Sequence, residues 1–299
     1  MLWHSDSRDC LAEPPAGKRA IAARLPRPPR LALLACTGIT CAQFALTADA
    51  QTYPVRPIRL VVPFPIGGGV DAVARIAFAP LANTLGQQIV IDNRGGSSGI
   101  IATEIAARAA PDGYTLFFGV TSALAILPHY QKKLPYDVLA DFAPIHLIAD
   151  GAYVLAVHPG VQAANVKELI VLAKQKPGVL NFCSAGNGTM LHLNGELFKS
   201  LAGVNIVHVP YKGAAAAMTD LVSGQVQLAF NPPSVTLPHV KSARLRGLAV
   251  TSAKLSALAP DLPTIAEAGV PGYEATGWYA ALAPARTPPA VIKIGRAHV

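Results

Sequence analysis

Residues 58–75 read IRLVVPFPIGGGVDAVAR. The apolar run IRLVVPF (58–64) has the composition of a buried strand, and DAVARIAFAPLANTLG has that of a helix ending at Gly86. Between them stand Gly67, Gly68 and Gly69. Strand, glycine turn and helix in that order form the unit of an α/β fold. Consecutive glycines at a helix start bring bare backbone close to a partner. Neither nucleotide motif fits: the spacing is not G-x-G-x-x-G, and the G-K-[ST] ending of a phosphate loop is missing. What remains is a glycine-rich helix N-terminus, whose free N–H groups and positive dipole end suit a carboxylate or another anion.

Working outward, strand-like and helix-like runs alternate. QIVIDN (88–93), PDGYTLFFGV, YVLAVHP (153–159), LNFCSAG, NIVHVPY, VQLAFN and LRGLAVTS read as strands. GIIATEIAARAA, NVKELIVLAKQKPG, MLHLNGELFKSLAG and AAAAMTDLVSGQ read as helices. This alternation predicts βαβ units and a largely parallel sheet. Several strands run into Gly/Ser/Thr-rich loops, PIGGGVD, RGGSSG, SAGNGT and PYKGA. Ligands of open parallel sheets sit at such strand ends, so a site assembled from many of them is expected.

The 299 residues are 52% hydrophobic and only 14% charged, which excludes a disordered chain. The net charge is +8, but the basic residues are scattered and not interleaved with aromatics, so no nucleic-acid face is expected. Arg19, Arg24, Arg27 and Arg30 precede the apolar LALLACTGITCAQFALTADA, the layout of a signal peptide over residues 1–50. That leader implies export, and its first twenty residues suggest a start codon placed too early. Cys10, Cys36 and Cys41 fall within it, leaving Cys183 alone in the mature chain and no internal disulfide. Cys183, at the end of an apolar strand, reads as a buried thiol.

GGSSG (95–99) matches G-x-S-x-G and raises Ser97 as the nucleophile of a secreted serine hydrolase. Against this, no histidine is marked as its base and no H-G-G segment as its oxyanion hole. SAGNGT (184–189) repeats the anion-loop logic of the first glycine turn, with Ser184 and Thr189 adding hydroxyls. Two such loops at corresponding strand ends make an anion clamp. His192 either faces the ligand or is a satisfied structural histidine, and Asp71 either touches ligand or complements the helix dipole. Trp278 and Tyr279 form an aromatic wall or ordinary core. No Cys/His cluster or H-E-x-x-H is present, so no metal and no cofactor are expected.

Taken together, YPVRPIRLVVPFPIGGGVDAVAR, VIDNRGGSSGIIATEIAARAAPDGYTL, KLPYDVLADFAPI, SAGNGTMLHLNGELF, VPYKGAAAAMTDLVSGQV, LRGLAVTS and LPTIAEAGVPGYEATGWYAALAPARTP resemble the tripartite tricarboxylate transporter solute-binding proteins, the Bug family of bacterial periplasmic receptors. The resemblance spans essentially the whole mature chain. It implies a type II periplasmic-binding fold: two α/β domains, residues 51–152 plus 250–299 and residues 153–249, hinged around a ligand cleft. It also implies a monomer that captures a small carboxylate and delivers it to integral-membrane transporter subunits without catalysis. By position, the ligand-binding candidates are Phe64, Gly67, Gly68 and Asp71 from the first loop and Ser122 near the third strand end. From the second domain come Ser184, Gly188, Thr189, His192 and Tyr211, with Lys212 and Gly213 lining or shaping the cleft. Amino-acid-binding members carry an Asp after the VQLAF-like strand, whereas this chain has Asn231 before Pro232-Pro233. Without that carboxylate an α-ammonium group has no counter-charge, so a ligand without an amine is expected. The family continues past TPPAVIK with a long helix, while this chain ends in IGRAHV, which reads as a truncated gene fragment.

Overall fold

The computed structural model describes residues 53–298, so the expected leader and its three cysteines lie outside the described residues. The first sheet contains β1 (Ile58–Val62), β2 (Ile89–Asn93), β3 (Thr115–Val120), β4 (Phe142–Ala152) and β10 (Thr276–Pro284), in the order β2-β1-β3-β10-β4. The second contains β5 (Val154–Val157), β6 (Asn181–Ser184), β7 (Val207–Pro210), β8 (Leu228–Asn231) and β9 (Arg246–Val250), in the order β7-β6-β8-β5-β9. The chain passes between the sheets twice, from β4 to β5 and from β9 to β10.

The longer helices are α1 (Gly69–Leu85), α2 (Ile100–Ala107), α3 (Val166–Gln175), α4 (Met190–Ala202), α5 (Ala214–Val222), α6 (Pro233–Lys241) and α7 (Pro289–His298). Their ends follow local chemistry. α1 and α4 stop at Gly86 and Gly203, both left-handed at φ 65° and 61°. At the start of α3, Asn165 Oδ1 accepts the Glu168 N–H at 3.0 Å, and Glu168 Oε2 accepts the Ala164 N–H at 2.7 Å.

The expected α/β alternation is present, but the expectation of largely parallel sheets is corrected. β1 pairs parallel with β2 and β3, and β6 with β7 and β8. β10 runs antiparallel to β3 and β4, and β5 antiparallel to β8 and β9. The reversed strands are those next to the two crossings, where the chain enters a sheet without a βαβ unit to fix its direction. Three elements were not expected from the sequence. β4 carries Pro144 and Gly151, which argue against a central strand; it lies at the sheet edge, where a missing N–H is tolerated. β10 holds Trp278 and Tyr279, the aromatic pair that fits either a wall or ordinary core in the sequence. α6 has Pro233 at its first turn, which suits a helix start, but also Pro238 inside.

Both sheets are covered on both faces. Leu60 and Val62 pack with Phe78 and Phe118 on one face, while Val61 packs with Ala102 and Phe117 on the other. In the second sheet Leu155, Phe182 and Phe230 share one face and pack with Phe198 of α4, and Val154, Ala156, Cys183 and Ala229 share the other. Two-sided burial explains the near-continuous apolar strands, and each fully buried large side chain contributes about 2 kcal/mol. Cys183 is part of this core: burial, first among the causes, pushes its thiol up to about 12, which leaves it inert as a nucleophile.

Candidate ligand-binding cavity

Where the two sheets' loops meet, they enclose a cavity of about 30 Å³, room for one or two waters. From the first sheet's side its wall takes Phe64, Gly68, Gly69, Ser122, Trp278 and Tyr279. From the second sheet's side it takes Ala185, Thr189, Met190, Ala214 and Pro232, and Tyr153 lies at the crossing between the sheets. No lining side chain is charged.

The N-termini of four helices bound this space. Gly68, Thr189 and Pro232 are the N-cap residues of α1, α4 and α6, and Ala214 is the first residue of α5. The first-turn N–H groups of a helix lack intrahelical acceptors, and each N-terminus carries roughly half a positive charge. An uncharged, water-poor cavity leaves those dipoles unscreened, so the arrangement attracts an anion with backbone donors alone.

The two jaws are already in contact. Ser122 Oγ accepts the Met190 N–H at 3.3 Å, and the Ser98 hydroxyl donates to Asn187 O at 2.6 Å. Gly188, at φ 74°, fits beneath Leu127 and Tyr130, where a Cβ would lie 3.1 and 3.2 Å from their side chains. This is a closed arrangement, and admission of an organic acid requires it to open.

The expected site residues separate into two groups. Phe64, Gly68, Ser122 and Thr189 line the cavity. Gly67 and Tyr211 do not: Gly67 borders an outer groove, and Tyr211, with Lys212 and Gly213, borders the cleft mouth. The Tyr211 hydroxyl donates to Asp220 Oδ2 at 2.7 Å. Asn231 is buried at the end of β8 with neither Oδ1 nor Nδ2 partnered; its neighbour Pro232, and not Asn231, is on the cavity wall.

Asp71, Ser184, Gly188 and His192 stand behind the wall and shape it. Asp71 accepts the Gly67 N–H at 3.0 Å, Arg75 Nε at 3.1 Å and Asn93 Nδ2 at 3.1 Å. Burial alone would raise its carboxyl, but these donors hold it below the usual range. Ser184 Oγ accepts the Gly186 N–H at 3.1 Å and lies 2.6 Å from His208 Nε2. Gly188 N–H donates to His192 Nδ1 at 3.2 Å, and the His192 and His208 rings lie 4.2 Å apart. By residue type alone, a side chain turned toward its own loop cannot be told from one turned toward a ligand, so Asp71, Ser184 and His192 fit either role, and Gly188 offers only backbone to either. Tyr153 and Pro232 do not stand out in the sequence as wall residues: Tyr153 reaches the site from the crossing between β4 and β5, and Pro232 as the cap between β8 and α6.

The two histidines give the second loop an acid limit. Burial, and then the neighbouring His192, push His208 down to about 4, while burial also lowers His192, with Glu196 opposing it and Lys199 reinforcing it. A histidine with a depressed folded value contributes stability that is fully present above its ordinary 6.5 and is lost as the pH falls below that toward the folded value. Thermal unfolding at pH 5 should therefore lie about 3 °C below that at pH 7 from this group, and the difference should shrink in His208→Gln. An unchanged pH dependence in the variant would refute the assignment.

Ser97 lies at the cleft mouth with φ 47°, outside the cavity wall. His192 and His208 are bonded to Gly188 and Ser184, so neither serves Ser97 as a base, and the hydrolase reading gains no support.

Residues 73–297 match a family described as the tripartite tricarboxylate transporter family receptor. Protein BugT of Bordetella pertussis is 38% identical over 270 residues, which cover 89% of this chain and 83% of that one. Among solved structures, an R. palustris protein with adipate is 40% identical with a TM-score of 0.79, covering 81% of each chain. MatC from Rhodopseudomonas palustris, with bound malate, is 31% identical with a TM-score of 0.77 and covers 82% of this chain and 84% of that one. With two α/β sheets, a shared cavity between their loops and this extent of likeness, the chain belongs to the tripartite tricarboxylate transporter receptor family, a class of periplasmic solute-binding proteins.

Proposed function

We propose that the solute is a small carboxylate without an amine, held between a domain of residues 51–152 plus 250–299 and a domain of residues 153–249. The observation that carries this reading is the meeting of four helix N-termini at a cavity with no charged wall residue. The same wall offers an ammonium group no counter-charge, and the last residue of β8 is the neutral Asn231. The Asn231 amide, buried and unpartnered behind that wall, costs about 1–3 kcal/mol per unmet atom and brings no charge to it. The bound adipate and malate of the two R. palustris relatives fit the same chemistry. The leader of residues 1–50 delivers the chain to the periplasm as a monomer. It binds no nucleic acid and performs no catalysis there. The loaded receptor hands its solute to integral-membrane subunits.

A thermal-shift screen with malate, adipate, benzoate and aspartate tests this reading. A ligand at 100 times its Kd adds about 2.7 kcal/mol to the folded state, a rise of roughly 5–10 °C in Tm. The rise is expected for one or more of the amine-free acids and not for aspartate. Flat curves for all four would undermine the carboxylate reading, and a shift with aspartate alone would reverse the argument from Asn231.

A further inference from the structure

The closed cavity shares three wall residues, Tyr153, Pro232 and Tyr279, with a separate groove of about 300 Å³ on their far side. That groove is bounded by Asp150 and Gly151 at the end of β4, Ser234 at the start of α6, and Ser256 and Leu258. The two spaces are therefore one side chain apart.

The partition is firm. The Tyr279 ring stacks on the fully buried Phe118, with centroids 5.6 Å apart and planes inclined by 24°. The Tyr153 N–H donates to Thr251 Oγ1 at 2.8 Å, and the Thr251 N–H donates to Tyr153 O at 3.0 Å. The Tyr153 hydroxyl lies where Gly277 would otherwise place a Cβ, so the ring fills a notch made for it. Pro232 is fixed by its own ring and by Gly69.

The opposite side of the cavity is shut in another way. There the Ser98 hydroxyl meets Asn187 O, and Gly213 packs on Pro65, contacts that join one sheet's loops to the other's. A ligand protruding on that side would hold the jaws apart, whereas the groove behind the tyrosines shares three wall residues with the cavity, against two for each of the grooves at the glycine loops, and is the direction in which a bound chain extends.

We infer that Tyr153 and Tyr279 set the length limit of the solute: its carboxylate lies at the helix N-termini and its far end stops against these two rings. This rests on the carboxylate-receptor reading above. Beyond the rings, the exposed carboxylate of Asp150 disfavours a second negative charge in the groove. A shortened wall thus admits long monocarboxylates more readily than long dicarboxylates.

The test is calorimetry with the full chain against malonate, succinate, adipate, suberate, hexanoate and octanoate. Wild type should show a break in affinity at a definite chain length. Tyr279→Ala should move the break to longer acids, with octanoate tightened about tenfold relative to its wild-type value, and Tyr279→Phe should leave the break in place. If Tyr279→Ala fails to fold, Tyr279→Leu, which keeps an apolar contact with Phe118, and Tyr153→Leu carry the same comparison. Uniform weakening of all acids with the break unmoved would overturn the length-limit assignment alone. Absence of binding by wild type to every acid would instead overturn the receptor reading on which it stands.

Discussion

Gly69→Ala is expected to weaken solute binding about 100-fold while leaving the ligand-free fold intact. A Cβ at Gly69 would lie 2.7 Å from Pro232 Cγ and 3.0 Å from Pro232 Cβ, inside any allowed contact. Gly69 opens α1 beside the first sheet, and Pro232 follows the last residue of β8 in the second. The pyrrolidine ring has no rotamer by which to retreat. The added methyl therefore wedges the jaws and raises the closed state, and about 2.7 kcal/mol of that penalty is a 100-fold loss of affinity. The open form does not carry the contact, so Tm without ligand should change little. Calorimetry reads the affinity and small-angle scattering reads closure at saturating solute. Adding Pro232→Gly should recover most of the lost affinity. Wild-type binding by Gly69→Ala would show that the bound state lacks this contact.

Asp71→Ala is expected to cost about 3 kcal/mol of stability, near 9 °C in Tm for a chain of this size. The carboxylate is 5% exposed and gathers three donors, with Arg75 Nη2 also 3.0 Å from Oδ1. Its removal strands the Gly67 N–H, takes one of the two acceptors of the Asn93 amide, whose other is Phe64 O, and takes the ion-pair partner of Arg75. The glycine turn then loses the bond that fixes its approach to the cavity, so affinity falls along with stability. The pH dependence separates this from a plain packing loss. Because the folded carboxyl is held low, its contribution is full above the ordinary carboxylate value and disappears as pH falls through the folded one. Wild type should lose this increment in acid, whereas Asp71→Ala should lack it at every pH. Parallel acid-unfolding curves for the two proteins would count against the assignment.

Local chemistry was legible from the sequence, and long-range direction was not. The glycine turn after IRLVV, the Asn165 cap and the stops at Gly86 and Gly203 depend on neighbouring residues, and the structure has them where the sequence places them. Phe64, Gly68, Ser122 and Thr189 reached the cavity wall because they sit at strand ends or helix starts, which point to the same edge of a parallel unit. The antiparallel setting of β5 and β10 depends on where the chain crosses between sheets, a property of no single segment. Asp71, Ser184 and His192 are the polar residues an anion site would use, yet they spend their atoms on the loops behind it. Tyr153 was hidden as the first aromatic of an aliphatic strand, and only the crossing at Ala152 shows that it looks into the cavity.

The absence of charged side chains from the wall determines how capture responds to acidity. Peptide dipoles neither gain nor lose protons, and burial keeps the two wall tyrosines neutral, with Tyr279 pushed up to about 12 and Tyr153 raised well above its ordinary value. Within the range where the protein stays folded, the solute's own ionisation then decides when capture fails. A strong acid would still be collected from sour surroundings that already leave a weak one neutral and uncaught.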